Sequence, residues 1–127
     1  MLQSMTKTLT PSPALVAEAS DFAQGLSQDA AEVEFIFERA AQYFALLSEP
    51  ARLRIVQAVC SQERSVQDVV AITGLPQPNA SRHLTMLYRA GVLSRRRQGT
   101  FVFYKVCDAL LTDLCRSVCI RLAGSLE

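Results

Sequence analysis

The chain has 127 residues, half of them apolar and a fifth charged, with a formal net charge of +1. That is the length of one globular domain, roughly 100–200 residues, and the composition of neither a disordered nor a collagenous chain. No run of about 18 apolar residues is present to span a membrane, and the opening Met1–Lys7 stretch lacks the basic-then-apolar order of a secretion signal. A cytoplasmic protein without a membrane partner is therefore expected, its four cysteines (60, 107, 115 and 119) being reduced thiols rather than a disulfide framework.

Residues 1–28 read as a flexible leader, with a short helix between Ala14 and Leu26 weakened by Gly25. From Asp29 the signal strengthens: Val33, Phe37, Ala40, Phe44 and Leu47 recur at three and four, the inward stripe of an amphipathic helix. Ser48-Glu49-Pro50 ends it, because the residue before a proline avoids the helical region. Pro50 suits the first turn of a second helix, in which Leu53, Val56 and Val59 or Cys60 face inward. After a short break at 61–64, Ser65 caps a third helix with Asp68 three residues on. There Val66, Val69, Val70 and Ile72 or Thr73 point inward, and Gly74 stops the helix. Gln77-Pro78-Asn79 opens a fourth, running to Ala90 and ended by Gly91. Two short helices joined through a glycine turn have helix-turn-helix spacing.

With Ala80, Leu84 and Leu87 placed inward on the fourth helix, Ser81, Arg82, Thr85 and Arg89 lie opposite, with Asn79 at the edge. These side chains suit base edges and phosphates, although a plain solvated helix can carry the same set. Charge distribution separates the two readings. Residues 1–63 carry net −4 and residues 106–127 net −1, whereas residues 64–105 hold seven basic groups against Asp68 alone, net +6. A basic segment within a near-neutral chain is the footprint of a polyanion partner. Residues 94–106 then form a two-stranded hairpin, basic at Arg95, Arg96 and Arg97 and aromatic at Phe101, Phe103 and Tyr104, with Gln98-Gly99 in the turn. A basic hairpin after such a helix is a wing whose arginines sit on phosphates or in a minor groove. Leu111, Leu114, Val118 and Leu122 mark a last helix over 108–122. The expected fold is mainly α with a small β-hairpin, a winged helix-turn-helix of order α-α-α-α-β-β-α over residues 29–123 with a short tail at 124–127.

The residues in this frame resemble the ArsR/SmtB family of bacterial winged-helix repressors. Carrying the resemblance are Leu46-Leu47-Ser48-Glu49-Pro50-Ala51-Arg52-Leu53-Arg54-Ile55, Asn79-Ala80-Ser81-Arg82-His83-Leu84 with Leu87, Ala90-Gly91-Val92-Leu93, Arg95-Arg96-Arg97-Gln98-Gly99 and Phe103-Tyr104-Lys105-Val106. The resemblance implies a homodimer joined through the first and last helices, binding an imperfect inverted repeat in operator DNA until an inducer releases it. Two recognition helices would then lie about one DNA turn apart, roughly 34–36 Å. The DNA-contacting candidates are Gln77, Asn79, Ser81, Arg82, His83, Thr85 and Arg89 on the helix and Arg95, Arg96 and Arg97 on the wing. His83 matches a position the family often fills with His, although a lone histidine is more often a packing or hydrogen-bonding group.

The same resemblance frames the sensing question. A thiolate pair in the helix before the recognition helix is absent, since Val66–Val70 contains no cysteine. A zinc site in the last helix would match Asp108, but its later positions hold Leu110, Arg121 and Gly124. The cysteines remain. Cys115 and Cys119, four apart and about 6 Å along a helix, can share one soft ion such as an arsenite-like metalloid or a thiophilic metal, whereas Cys107 reaches them only from a partner chain. Some family members instead place one cysteine in the second helix and one in the last and respond to reactive sulfur or oxidants by cross-linking them. Cys60 with Cys115 or Cys119 resembles that arrangement, and Arg116 or Arg121 would lower a neighbouring thiol's pKa. Cysteines that only pack are the third reading. No cofactor is required under any of them.

An enzyme is not expected: there is no glycine-rich phosphate loop, no histidine pair, and no pattern of a thiol redox fold around Cys115 and Cys119. A winged helix that binds a protein partner is the serious rival. The density of Arg82, Arg89 and Arg95–Arg97 argues against it.

Overall fold

The computed structural model describes Gly25 and residues 29–126. Its elements are α1 (Ala30–Ala45), α2 (Pro50–Val59), β1 (Arg64–Ser65), α3 (Val66–Thr73), α4 (Gln77–Arg89), β2 (Leu93–Gln98), β3 (Phe101–Val106) and α5 (Ala109–Gly124). The expected leader and its short helix lie outside the described residues apart from Gly25, as does Glu127 at the end of the tail. None of the helices among the described residues is long and apolar enough to cross a membrane.

The chain divides into two compact units between Tyr43 and Phe44, and α1 lies mostly in the first. Its start is capped by Asp29, whose carboxylate accepts from the Ala31 N–H at 2.9 Å. Val33, Ile36, Ala40 and Tyr43 form a half-buried stripe, and no α1 residue is fully buried. The expected stripe included Phe37 and Phe44, which are exposed along with Phe35. Because α1 is apolar around more than one side, its spacing alone admits both stripes, and the one through Ile36 is the better covered.

In the second unit, α1 tightens into short turns, Leu47 N–H to Phe44 C=O and Ser48 N–H to Ala45 C=O. Glu49 is extended, as a residue before proline should be. The α2 face turned inward carries Arg52, Ile55, Val56, Ala58 and Val59. Leu53 and Cys60, expected inward, are half-buried, since the helix is rotated to bring Ile55 fully inside.

The α3 start has the expected reciprocal cap: the Ser65 hydroxyl accepts from Asp68 N–H at 3.1 Å, and the Asp68 carboxylate accepts from Ser65 N–H at 3.0 Å. Val69 is buried; Val66, Val70 and Thr73 are half-buried. Of the two inward candidates at the helix end it is Thr73 that turns back, donating to Val69 C=O at 2.6 Å, while Ile72 is 52% exposed. Gly74 then takes φ +74°, a left-handed conformation that side-chain-bearing residues rarely adopt, and redirects the chain into α4. Ala80, Leu84 and Leu87 of α4 are buried in the core as expected, which also holds Val92, Leu93, Tyr104 and Leu111. Full burial of each leucine contributes about 1.5–3 kcal/mol.

The hairpin pairs Leu93 with Val106 through Gln98 with Phe101, so the turn residues are Gly99 and Thr100 rather than Gln98-Gly99. Gly99 sits at φ +61°, the glycine-first pattern of a hairpin turn. The sheet also has a third strand. β1 pairs Arg64 with Tyr104 and Ser65 with Phe103, giving the order β1-β3-β2; two residues are too few to show an alternation in sequence. On α5, Leu111 is buried and Leu114 half-buried, but Val118 and Leu122 of the expected stripe are exposed, together with Leu110 and Ile120.

Ser65 caps the start of α3 and also belongs to β1, so its hydroxyl is expected to matter for stability. Ser65→Ala should lower the unfolding free energy by about 1 kcal/mol, read as a lower urea midpoint with an unchanged slope.

Candidate nucleic-acid interface and cysteine cluster

The outward side of α4 is a shallow open depression lined by Ser81, Arg82, Thr85, Met86 and Arg89. Four of these five were expected from helical spacing. Gln77 is exposed and Asn79 half-buried at the amino end of the same helix. Met86 was missed, because an apolar residue beside Leu87 is naturally assigned to the core.

His83 departs from the expected set. Its ring is 6% exposed, turned inward beside Leu84, so it does not present to a ligand with Arg82. Nε2 lies 3.8 Å from the Glu49 carboxylate, and Nδ1 is buried without a hydrogen-bond partner. Glu49 in turn pairs with Arg52 at 3.0 Å. The buried Arg52 guanidinium donates to Leu46 C=O at 2.7 Å and Ala45 C=O at 3.0 Å, and reaches the Ser48 hydroxyl at 3.4 Å. Burial pushes the His83 imidazole below its usual pKa; the Arg52 charge adds to that, Glu49 opposes it, and Arg82 lowers it further.

The three wing arginines do not form one uniform patch. Arg95 lies over the Tyr88 ring at 4.1 Å, tying β2 to α4. Arg96 pairs with Glu63 at 3.0 Å, donates to Gln98 at 2.8 Å and covers Phe103 at 4.9 Å. Arg97 is exposed and has no ion pair or ring contact among the described residues.

All four cysteines are free thiols. Cys60, following α2, donates to Gln57 C=O at 3.2 Å, and Cys107 donates to Gly91 C=O at 3.4 Å. On α5, burial pushes the Cys115 thiol up, and negative charge at Cys119 and at Cys60 pushes it the same way. Arg116 and Arg121 therefore do not make Cys115 the low-pKa thiol expected beside them. Helix α2, which ends at Cys60, packs against α5, which bears Cys115 and Cys119. Among the described residues no three His, Cys, Asp or Glu side chains converge as a metal site.

Residues 49–95 match the family model described as "Bacterial regulatory protein, arsR family". An uncharacterized HTH-type transcriptional regulator of Mycobacterium tuberculosis, Rv0081, is 33% identical over 84 residues, 65% of this chain and 74% of that one. Its crystal structure superposes with a TM-score of 0.63 over 72% of this chain and 92% of that one, at 32% identity. The chain belongs to the ArsR/SmtB family of transcriptional regulators. Another ArsR/SmtB relative, the "Probable mercury resistance operon repressor" of Streptomyces lividans, is 35% identical over 77 residues, 61% of this chain and 62% of that one. A homodimeric winged helix-turn-helix domain from Mycobacterium bovis shares the fold with a TM-score of 0.68 at 24% identity, over 80% of this chain and 94% of that one.

Two expectations follow for this ArsR/SmtB chain. The lowered His83 pKa means that the unfolded chain takes up a proton before the folded one does. Stability is then full above the ordinary histidine value of about 6.5 and falls as pH drops through it toward the folded value. Urea midpoints measured between pH 7.5 and 5.5 should fall in the parent and fall less steeply in His83→Asn. For the wing, Arg97→Ala should reduce the slope of log affinity against log salt by about 1 per wing, as expected for one lost phosphate contact. Arg96→Ala should change it less, because Glu63 already holds that charge.

Proposed function

We propose that this ArsR/SmtB chain is a homodimeric repressor of operator DNA, released when an inducer acts on its cysteine thiols. Supporting the DNA part is the depression on α4 lined by Ser81, Arg82, Thr85 and Arg89, backed by the buried Ala80, Leu84 and Leu87. The operator is double-stranded DNA carrying an imperfect inverted repeat, with each α4 in a major groove and Arg97 of each wing on the backbone. Dimerisation through the first and last helices is supported by the apolar side chains that each leaves uncovered, Phe35 and Phe37 on α1, Leu110, Val118 and Leu122 on α5. The homodimeric M. bovis neighbour points the same way.

The observation that carries the sensing part is the packing of α2, which ends at Cys60, against α5, which bears Cys115 and Cys119. Helix α2 packs against both α4 and α5, so a bond made at Cys60 acts on the element that supports the recognition helix. With an inorganic polysulfide as oxidant the chemistry closes. One thiolate attacks the S–S bond of HS–SH, forming a protein persulfide and releasing HS⁻. A second thiolate attacks the inner sulfur of that persulfide, forming the protein disulfide and releasing a second HS⁻. Cys60 supplies one of the two thiolates and Cys119 the other.

A soft metal or metalloid held by Cys115 and Cys119 is the second reading, favoured by the name of the S. lividans relative and opposed by the absence of a third converging ligand among the described residues. One titration separates the readings. Operator binding is followed by fluorescence anisotropy on reduced protein, then after polysulfide and after arsenite, with intact mass taken on each product. Release with loss of two hydrogens supports the thiol reading, and Cys60→Ser and Cys119→Ser should each bind DNA normally yet fail to release. Release by arsenite alone, with bound arsenic in the mass, makes the metalloid reading correct. Release by polysulfide in both variants, or no release of the parent by either reagent, overturns the thiol assignment.

A further inference from the structure

Met86 is the one apolar residue among the five that line the outward depression of α4. It is 41% exposed, whereas Leu84 and Leu87 on either side are fully buried. It stands one turn beyond Arg82 and three residues before Arg89, so the two guanidinium groups flank it on one helical face. A single exposed methionine on a surface helix needs no explanation. This one lies in the middle of the polar face that meets the major groove.

The chemistry of that groove limits what an apolar side chain can recognise there. Guanine offers two acceptors, adenine an acceptor and a donor, and cytosine a donor; only thymine presents an apolar group, its C5 methyl. Hydrogen bonds to the other edges are within reach of Arg82, Ser81 and Asn79, but none of these distinguishes a methyl from a hydrogen. An unbranched thioether with three rotatable bonds can follow the methyl across a range of groove depths.

We propose that Met86 reads a thymine methyl in each half-site and is a specificity-determining residue of this regulator. The proposal rests on α4 being the recognition helix. Flanking contacts from Arg82 and Arg89 would hold the backbone or a guanine on either side, leaving Met86 over one defined base pair.

The test uses the full-length protein and a duplex selected by it from a random pool. Each thymine of the selected half-site is replaced in turn by deoxyuridine, which removes only the methyl group and preserves pairing. In the parent, one symmetry-related position should weaken binding about three- to fourfold per half-site, on the order of tenfold when both are changed. Met86→Ala should bind the parent duplex more weakly and be indifferent to that replacement, while an unchanged melting temperature shows that it still folds. A selected half-site without thymine, a parent indifferent to every replacement, or a Met86→Ala variant as sensitive as the parent overturns the proposal. Failure to select any duplex instead overturns the recognition-helix reading on which it stands.

Discussion

A buried guanidinium fixes the corner from which the DNA-facing half of this molecule is built. Arg52 is almost wholly removed from water, and a charge in that position is tolerated only when its donors are used. Here they are used on the carbonyls of Ala45 and Leu46, the Ser48 hydroxyl and the Glu49 carboxylate. Those carbonyls are among the groups a helix end leaves without partners, and they carry the negative end of its dipole. Each party therefore satisfies the other, and the turn between Ala45 and Pro50 has little freedom left. The same carboxylate faces His83 of α4. The corner is thus connected to the inner side of α4, whose outer side presents Arg82, Thr85 and Arg89.

The wing shows why a concentration of positive charge is not the same as a set of DNA contacts. Residues 64–105 supply the basic segment, yet Arg95 is committed to Tyr88 and Arg96 to Glu63, Gln98 and Phe103. Both contacts have a structural effect. The first braces the wing against α4, and the second braces it against the segment leading into β1. An exposed ion pair contributes little stability by itself, about 0–1 kcal/mol, but it still competes with a phosphate for the same guanidinium. All three arginines add to the positive field of the wing, while Arg97 alone among them has no ion pair or ring contact among the described residues to give up.

The elements that sequence made legible are those written in local periodicity and turn chemistry. Ser65 with Asp68, Gly74, Pro50 and the Ala80–Leu84–Leu87 stripe each specify their structure within a few residues, and each appears where that chemistry placed it. What sequence hid depends on distant partners. Glu63 and Arg96 are 33 residues apart, and β1 exists only because β3 lies beside it. Two apolar residues expected inside, Phe37 and Phe44, lie outward, as does Ile72, one of the two candidates at the end of α3. At those positions helical spacing allowed more than one stripe, and only packing chose between them. His83 failed in the opposite sense, a polar residue within a DNA-contacting motif whose ring is part of the core.

The proposed thiol chemistry and the proposed DNA-binding face both bear on α2 without sharing a residue. Cys60 follows the carboxyl end of that helix, Arg52 lies in its first turn, and Ile55 and Val59 between them are fully buried. A packed helix does not bend continuously; it shifts as a body or stays. If the proposed disulfide forms and draws Cys60 toward α5, it moves the support of α4 and the Glu49–Arg52 corner together. Linkage makes this reciprocal. If the cross-linked form binds operator less tightly by some factor, operator must disfavour formation of the cross-link by the same factor. Under the proposed function, the protein seated on DNA is then harder to oxidise than the free protein.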